Sequence, residues 1–172
     1  MNDMRKPVLI GIIIVLIGIA IYASGAYTYF QERRVTETMP AVDQSADTEA
    51  PIVEPVVVKE GQFVNADFFH TGEGIAKIIA YPDGKNILRF ENFSVINGPD
   101  VYVYLTTTIT PTSDINSLGS YIDLGPLKGN IGDQNYELPS GAEGYTTVAL
   151  WCKRFGVLFP YAVMTTTNTS SN

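Results

Sequence analysis

The stretch Thr146–Met164, TTVALWCKRFGVLFPYAVM, decides the fold of this chain. In its first half, Val148, Leu150 and Cys152 alternate with a second set of residues, which is the period of a β-strand with two distinct faces. Its second half, Val157–Met164, is apolar enough to be buried on both sides. A Gly-containing turn separates the halves, so the stretch predicts a β-hairpin that must pack against further strands.

The preceding region supplies those strands. Gly74–Tyr81 and Asn86–Phe90 flank Pro-Asp-Gly, in which Pro fixes φ and Gly allows a positive φ, so they form a predicted hairpin. The apolar phase then changes, which predicts a β-bulge near residues 91–92. Val101–Thr106 and Tyr121–Leu124 follow as further strand candidates, at spacings typical of a sandwich or barrel.

We therefore predict an all-β domain over residues 60–164, built as an antiparallel β-sandwich or a barrel-like fold. Between Pro111 and Gly144 the chain is rich in turns, and this part matches neither the Walker spacing nor the dinucleotide fingerprint. A long structured loop over one end of the sandwich is the expectation there. Residues 165–172 are polar, and we expect a tail outside the core.

The N-terminal region predicts a membrane span. Val8–Tyr29 has no charged residue and is long enough, at roughly 33 Å, to cross a hydrocarbon core of about 30 Å. We predict a short cytoplasmic segment at residues 1–7 and an uncleaved transmembrane signal anchor at residues 8–30. A cleavable signal peptide is the alternative, since Ala23-Ser24-Gly25-Ala26 offers a cut site.

Residues 31–59 differ from both neighbours. They contain several Pro and acidic residues, and residues 35–58 have no Lys or Arg. We expect a disordered linker that lets the domain reach a partner.

Arg5-Lys6 precede the apolar run and Arg33-Arg34 follow it, so the positive-inside count is close to a tie. A basic N-terminus directly before the apolar run and the acidic segment after it favour one orientation. The predicted location is therefore a single-pass cell-membrane protein with an extracytoplasmic C-terminal domain.

Composition excludes several classes of function. The net charge of −7 and a pI near 4.6 argue against a nucleic-acid partner, which requires a clustered basic surface. One Cys excludes an internal disulfide framework and a Cys-based zinc site, and one His excludes every His-pair motif.

Few residues remain as candidates for chemistry. Cys152 is followed by Lys153-Arg154, which would lower its pKa and make it reactive, whereas its alternation with Val148 and Leu150 favours a buried structural thiol. His70 is a candidate cofactor ligand, and together with Cys152 it could hold copper or an axial position of haem iron.

Weaker candidates complete this set. Met164 would add a soft ligand or belong to the core. Asp100, Asp123 and Asp133 lie on Gly-rich turns, where they would bind calcium or cap their own turns. No EF-hand spacing accompanies them, and the metal itself is not defined by the sequence.

Several motifs carry a family resemblance. These motifs are the stretch from His70 to Gly74, Ile87–Leu105, Tyr121–Pro139 and Val148–Phe159. Their sequences and their order along the chain resemble those of the DM13 domain, and the resemblance covers about residues 60–164. The resemblance implies a compact all-β domain on secreted or membrane-attached proteins. A redox or electron-transfer role, proposed for that family, rests on the cysteine that Cys152 matches. In animals the domain accompanies DOMON domains, which bind haem or sugar, so a cofactor-carrying neighbour would here be another polypeptide.

Two functions follow from these observations. The first is a membrane-anchored extracytoplasmic domain with an accessory redox or electron-transfer role through Cys152, with a separate redox or envelope protein as partner. The alternative is a non-catalytic adhesion or interaction module of the cell envelope that binds protein or glycan through Tyr121, Tyr136 and Tyr145. No nucleophile elbow, paired-carboxylate motif or HExxH motif favours a hydrolase, so an enzyme is not the leading expectation.

Overall fold

The computed structural model describes residues 5–24, 31–41 and 54–167. Its first element, α1 (Arg5–Ser24), is the only α-helix among these residues. The run Lys6–Ser24 has a mean hydropathy of 2.6, so this helix is long and apolar enough to cross a membrane, as a signal sequence also is. The predicted span began at residue 8 and reached residue 30, and its part at residues 25–30 lies outside the described residues.

The described residues form nine strands in two antiparallel sheets, which confirms the predicted β-sandwich. The strands are β1 (Val56–Gln62), β2 (Gly72–Ala80), β3 (Asn86–Val95), β4 (Val101–Thr106), β5 (Tyr121–Pro126), β6 (Gln134–Leu138), β7 (Thr147–Cys152), β8 (Val157–Val163) and β9 (Thr165–Thr166). The first sheet has the order β6-β3-β2-β1-β9, and the second has the order β5-β4-β7-β8.

The hairpin predicted from Thr146–Met164 is present as β7 and β8. All six residues of β7 are buried, because its two faces contact different apolar clusters. Its inner face carries Val148, Leu150 and Cys152 into the main core between the sheets. Its outer face carries Ala149 and Trp151 into a smaller cluster with Leu118 and other residues. β7 is a central strand of the second sheet, and it therefore contributes side chains to the apolar clusters on both faces of that sheet.

The predicted bulge is also present. The register between β2 and β3 shifts between Glu73 and Ile75, opposite Asn92, which has a positive φ of 49°. Gly74 lies at this point with φ +115°. Because the bulge changes the phase of β3, both Phe90 and Phe93 face the core, with their ring centroids 5.0 Å apart.

Besides β1, which begins inside the predicted linker, two strands were missed by the sequence prediction. Residues 134–138, expected in a long loop, form β6 and pair with β3 at the edge of the first sheet. Thr165 and Thr166, expected in a polar tail, form β9 and pair with Glu60 and Lys59 of β1. Both strands depend on distant partners in the chain, and their own polar sequences carry no clear apolar alternation.

Part of the predicted linker is packed on the domain. We call residues 31–41 the strap, because they run along the first sheet from Asn130 to Tyr81. Backbone N–H groups of Val35 and Glu37 donate to carbonyl oxygens of Ile131 and Asp133, each at 2.9 Å. The disordered linker expected over residues 31–59 is thus shortened at both ends, since β1 already begins at Val56. For residues 42–53, outside the described part, it stays a prediction.

The strap is held by charged groups. The Glu37 carboxylate accepts hydrogen bonds from Lys128 Nζ at 2.9 and 3.0 Å and from the Asn135 backbone N–H at 2.7 Å. The Glu37 carbonyl accepts one from Arg89 Nη1 at 3.0 Å. Partial burial raises the pKa of Glu37, yet the bonds from Lys128 and Asn135 outweigh it and hold that pKa below its usual value of 4.5.

We expect Gly74→Ala to lower the free energy of unfolding by about 2 kcal/mol or more, because the new side chain would be strained. Its Cβ would lie 2.7 Å from Phe93 Cα. Gly84→Ala is the matched control, since its φ is +85° but nothing lies within 4 Å of the added atom. The control should lose about 1 kcal/mol. Urea unfolding of the full chain in non-ionic detergent measures both, and equal losses would contradict the packing argument.

The lowered pKa of Glu37 predicts a pH dependence with a defined sign. A carboxyl group whose folded pKa lies below its unfolded value stabilises the protein above the unfolded value and loses that effect as pH falls through the folded one. Glu37→Gln should therefore be less stable than wild type at pH 7, and the difference should vanish below the folded pKa. Thermal unfolding from pH 7 to pH 3 tests this, with Glu32→Gln in the exposed pair with Arg34 as control. A difference that does not shrink as the pH falls would contradict it.

Candidate functional site

Cys152 ends β7 inside the sandwich. It lies opposite Val101 of β4 and Val157 of β8 in the strand register. Its exposed fraction is 0%, and it belongs to the main core cluster together with Leu150 and Phe159. The alternation in the sequence predicted this inward position. The thiol is therefore out of contact with solvent in the folded state.

An exposed turn follows Cys152. Residues 153–156 connect β7 to β8, and Gly156 adopts a positive φ of 61° there. The Gly156 N–H donates to the Cys152 carbonyl at 2.9 Å, and the Lys153 N–H donates to the Asp100 carbonyl at 3.0 Å. The backbone N–H groups of Phe155 and Arg154 in this turn lie near enough to the thiol to affect its pKa.

Burial determines the acidity of Cys152. It raises the pKa of the thiol, because the charged thiolate is poorly solvated in the core. The backbone N–H groups of Phe155 and Arg154 oppose this rise without reversing it, and the charge of Asp100 adds to it. Of the two alternatives for this residue, the structure favours the protonated, buried thiol over one activated by its basic neighbours.

Lys153 contacts other groups instead. Its Nζ lies 2.7 Å from Asp123 Oδ2 and 3.4 Å from the centroid of the Tyr102 ring. The hydrogen bond to Asp123 raises the pKa of Lys153, which keeps it charged. The ammonium group of Lys153 thus forms an ion pair and a cation–π contact at the surface.

His70 lies in the loop between β1 and β2. Its Nδ1 is 2.7 Å from Asp67 Oδ2, and its ring packs on Phe159 with the centroids 4.6 Å apart. The side-chain and backbone hydrogen bonds from His70 lower the pKa of Asp67. A carboxylate bound to one ring nitrogen is also the usual support of a metal-bound His, so His70 has one feature of a ligand.

The remaining donors do not complete a metal site. Among residues 5–24, 31–41 and 54–167, no group of three or more His, Cys, Asp and Glu side chains could hold a metal ion. Met164 is buried in the core and Cys152 has a protonated, desolvated thiol. Among the described residues, then, His70 is not joined by further side chains of these types into a set of three ligands.

The three turn aspartates have separate structural partners. Asp123 pairs with Lys153, and its Oδ1 accepts from the Gly125 N–H. Asp133 pairs with Arg89 and accepts from the Asn92 N–H. Asp100 has a positive φ and its carbonyl binds the turn after β7. These contacts support the turn-capping alternative over calcium binding.

The comparison with protein families decides the identity of the domain. The family described as Electron transfer DM13 matches residues 62–164, which is more than half of the chain. The chain belongs to the DM13 family. No curated protein and no solved structure matches it. The match covers β2 to β8 and includes both Cys152 and His70.

The tyrosines suggested for partner binding do not share one surface of the DM13 domain. Tyr136 is buried and donates its hydroxyl to Gln134 Oε1 at 2.8 Å, so it cannot be a contact residue. Tyr145 is half-buried and packs against the main core. Tyr121 is exposed, and its ring stacks on Tyr104 with the centroids 4.7 Å apart.

Two exposed aromatic residues of the DM13 domain were missed by the sequence analysis. Phe68 is 87% exposed and Phe69 is 73% exposed, although both are large and apolar. The sequence analysis named His70 in this stretch and gave no role to the two aromatic residues before it. The positions of Phe68 and Phe69 outside the core follow from the loop conformation, which the sequence pattern does not specify.

The burial of Cys152 predicts its reactivity. In native buffer the thiol should react with a water-soluble disulfide reagent much more slowly than in denaturant, because Cys152 is fully buried in the folded protein. Thiol titration of the full chain in detergent micelles, with and without urea, measures the two rates. Ser140→Cys in a Cys152→Ser background is the control, since Ser140 is exposed. A native Cys152 as fast as that control would contradict the burial argument.

Proposed function

We propose that this protein is a membrane-anchored, extracytoplasmic DM13 domain with an accessory role in electron transfer through Cys152. The observation that carries the proposal is the match to the electron-transfer DM13 family over residues 62–164. The apolar helix α1 supports membrane anchoring. Arg5 and Lys6 in the first turn of α1 and the acidic residues after the strap support an extracytoplasmic domain.

A lone thiol limits the redox chemistry. Since the chain has one Cys, oxidation cannot close an internal disulfide. The balanced step is thiol–disulfide exchange with a separate envelope protein. The Cys152 thiolate attacks a disulfide of that partner, forms the mixed disulfide and releases one partner thiolate.

Net transfer needs a dithiol of another protein as the electron donor. Its first thiolate attacks the Cys152 sulfur and releases the second thiolate of the partner. Its second thiolate then displaces the Cys152 thiolate and closes a disulfide, so two electrons pass from the dithiol to the disulfide of the partner.

The turn at residues 153–156 supports controlled access to this sulfur. A thiol that is buried and has a raised pKa is protected from adventitious oxidation. Local opening of a short exposed turn costs less than global unfolding, and Gly156 gives this turn its positive φ. A partner that binds and opens the turn would therefore reach Cys152, while small oxidants in solution would not.

Burial of Cys152 also favours a second candidate, a non-catalytic interaction module of the envelope. A fully buried thiol behaves as a small hydrophobic residue. Under this alternative Cys152 only fills the core. Of the three tyrosines suggested for binding, Tyr121 is the exposed one.

Trapping of mixed disulfides separates the two candidates. Cells that express the full chain are quenched in acid and treated with N-ethylmaleimide, and the chain is analysed on non-reducing gels. The redox role predicts one discrete, reducible adduct to a single protein for wild type and none for Cys152→Ser. The Cys152→Ser/Ser140→Cys variant should lack this adduct, since its thiol is exposed at another place.

Folding must be checked in the same experiment. Cys152→Ser places a hydroxyl group in the apolar core and should cost about 1–3 kcal/mol. Cys152→Ala serves as a second variant without that polar group. If both variants fold and no wild-type adduct forms, the thiol-exchange role is wrong and the interaction module stands.

A further inference from the structure

Three loops lie together at one end of the sandwich, which we call the Phe68 end. They are residues 65–71 between β1 and β2, residues 97–100 before β4, and residues 153–156 between β7 and β8. The register joins them, because Val101 pairs with Cys152 and the Ile96 N–H donates to the Thr71 carbonyl at 3.0 Å. The opposite end carries the turn at residues 82–85 and the loop that starts at residue 107.

Hydrogen bonds hold Phe68 and Phe69 in their exposed positions. Asp67 Oδ1 accepts from the N–H groups of Phe69 and His70 at 2.7 and 2.8 Å. Asn65 Oδ1 accepts from the Gly72 N–H at 2.9 Å and closes the base of the loop. The two rings lie edge to face, with their centroids 5.3 Å apart. This loop is built to present two aromatic rings away from the core.

More apolar surface lies beside these rings. Phe155 is 53% exposed in the turn after β7, and Ile96 is 42% exposed. Phe159 contacts two of the three loops. Its ring packs against the ring of His70 in the 65–71 loop and lies next to Gly98 in the 97–100 turn. The Phe68 end thus presents apolar side chains from all three loops or their borders.

The strap brings the chain from α1 to this same end. Asn97 Nδ2 donates a hydrogen bond to the Gln31 carbonyl, and the Arg33 N–H donates to Asn130 Oδ1 at 2.6 Å. Helix α1 ends at Ser24, and only residues 25–30 join it to the strap. Such a segment spans at most about 25 Å. A domain tethered in this way must keep the Phe68 end near the end of α1.

We propose that the Phe68 end docks on the lipid bilayer that α1 spans, with Phe68 and Phe69 inserted at the membrane interface. This inference rests on the proposed anchoring by α1. Aromatic rings are favoured at that interface, where their apolar surface leaves water. Arg154, exposed in the neighbouring turn, donates from its Nη1 to the Ser24 carbonyl at the end of α1 at 2.6 Å, which places this turn beside the end of the helix.

Tryptophan placed in the loop reports the docking. The full chain is reconstituted in vesicles of phosphatidylcholine with a minor fraction of phosphatidylglycerol, with and without brominated acyl chains. Phe68→Trp should lose most of its added emission in brominated vesicles and show a blue-shifted spectrum. The control is Ile109→Trp, since Ile109 is 60% exposed in the loop that starts at residue 107. Its emission should persist, and the unsubstituted chain corrects for Trp151.

An alkaline carbonate wash followed by vesicle flotation reports anchoring separately. If the chain floats and Phe68→Trp is not quenched, the docking is wrong while the anchoring stands, and the loop is left for a protein partner. Equal quenching of Ile109→Trp would also overturn the docking, because no particular end would then face the bilayer. A chain washed from the vesicles would overturn both proposals.

Discussion

The buried guanidinium of Arg89 is the constraint on which the outer face of the first sheet depends. Arg89 is only 6% exposed, so its donors must be paired inside the protein. Its partners are Glu91, Asp133, Asn135 and the Glu37 carbonyl, at distances of 2.8 to 3.0 Å. Each unpaired buried donor would cost about 1–3 kcal/mol.

These four partners come from three separate parts of the chain. Glu91 belongs to β3, Asp133 precedes β6, Asn135 lies within β6, and Glu37 lies in the strap. Since one planar group binds all four, the position of the strap is coupled to the edge of the sheet. The Phe68 end is then fixed relative to the start of the strap, where the chain arrives from α1. The ion-pair network of Arg89 therefore supports the proposed orientation of the domain at the membrane.

Much of the fold could be predicted from local sequence. The hairpin of β7 and β8, the Pro-Asp-Gly turn and the bulge near Asn92 all follow from apolar alternation and turn residues. β6 could not be predicted in this way, because the buried Gln134 interrupts its apolar pattern. The same holds for β9 and the strap, which are polar and gain their structure from partners distant in the chain.

In the candidate site too, some features could be predicted from local sequence and others could not. Alternation placed Cys152 on the inner face of its strand, whereas the direction of its pKa required the surrounding core and the position of Lys153. The Asp67–His70 contact depends on a loop conformation that no periodic pattern encodes. Chemistry at a loop is harder to predict than packing in a strand, because the backbone there has no regular period.

The short strand β9 affects the order in which the domain can fold. β1 and β9 pair residues 59 and 60 with residues 166 and 165, so this contact closes a very large loop of the chain. The strap likewise can pack only after residues 128–135 are synthesised, because Lys128 and Asn135 bind its Glu37. During synthesis neither the outer edge of β1 nor the Arg89 network can be completed until those late residues emerge. Such distant pairings slow folding, so the nascent chain keeps an unpaired strand edge that a chaperone could shield.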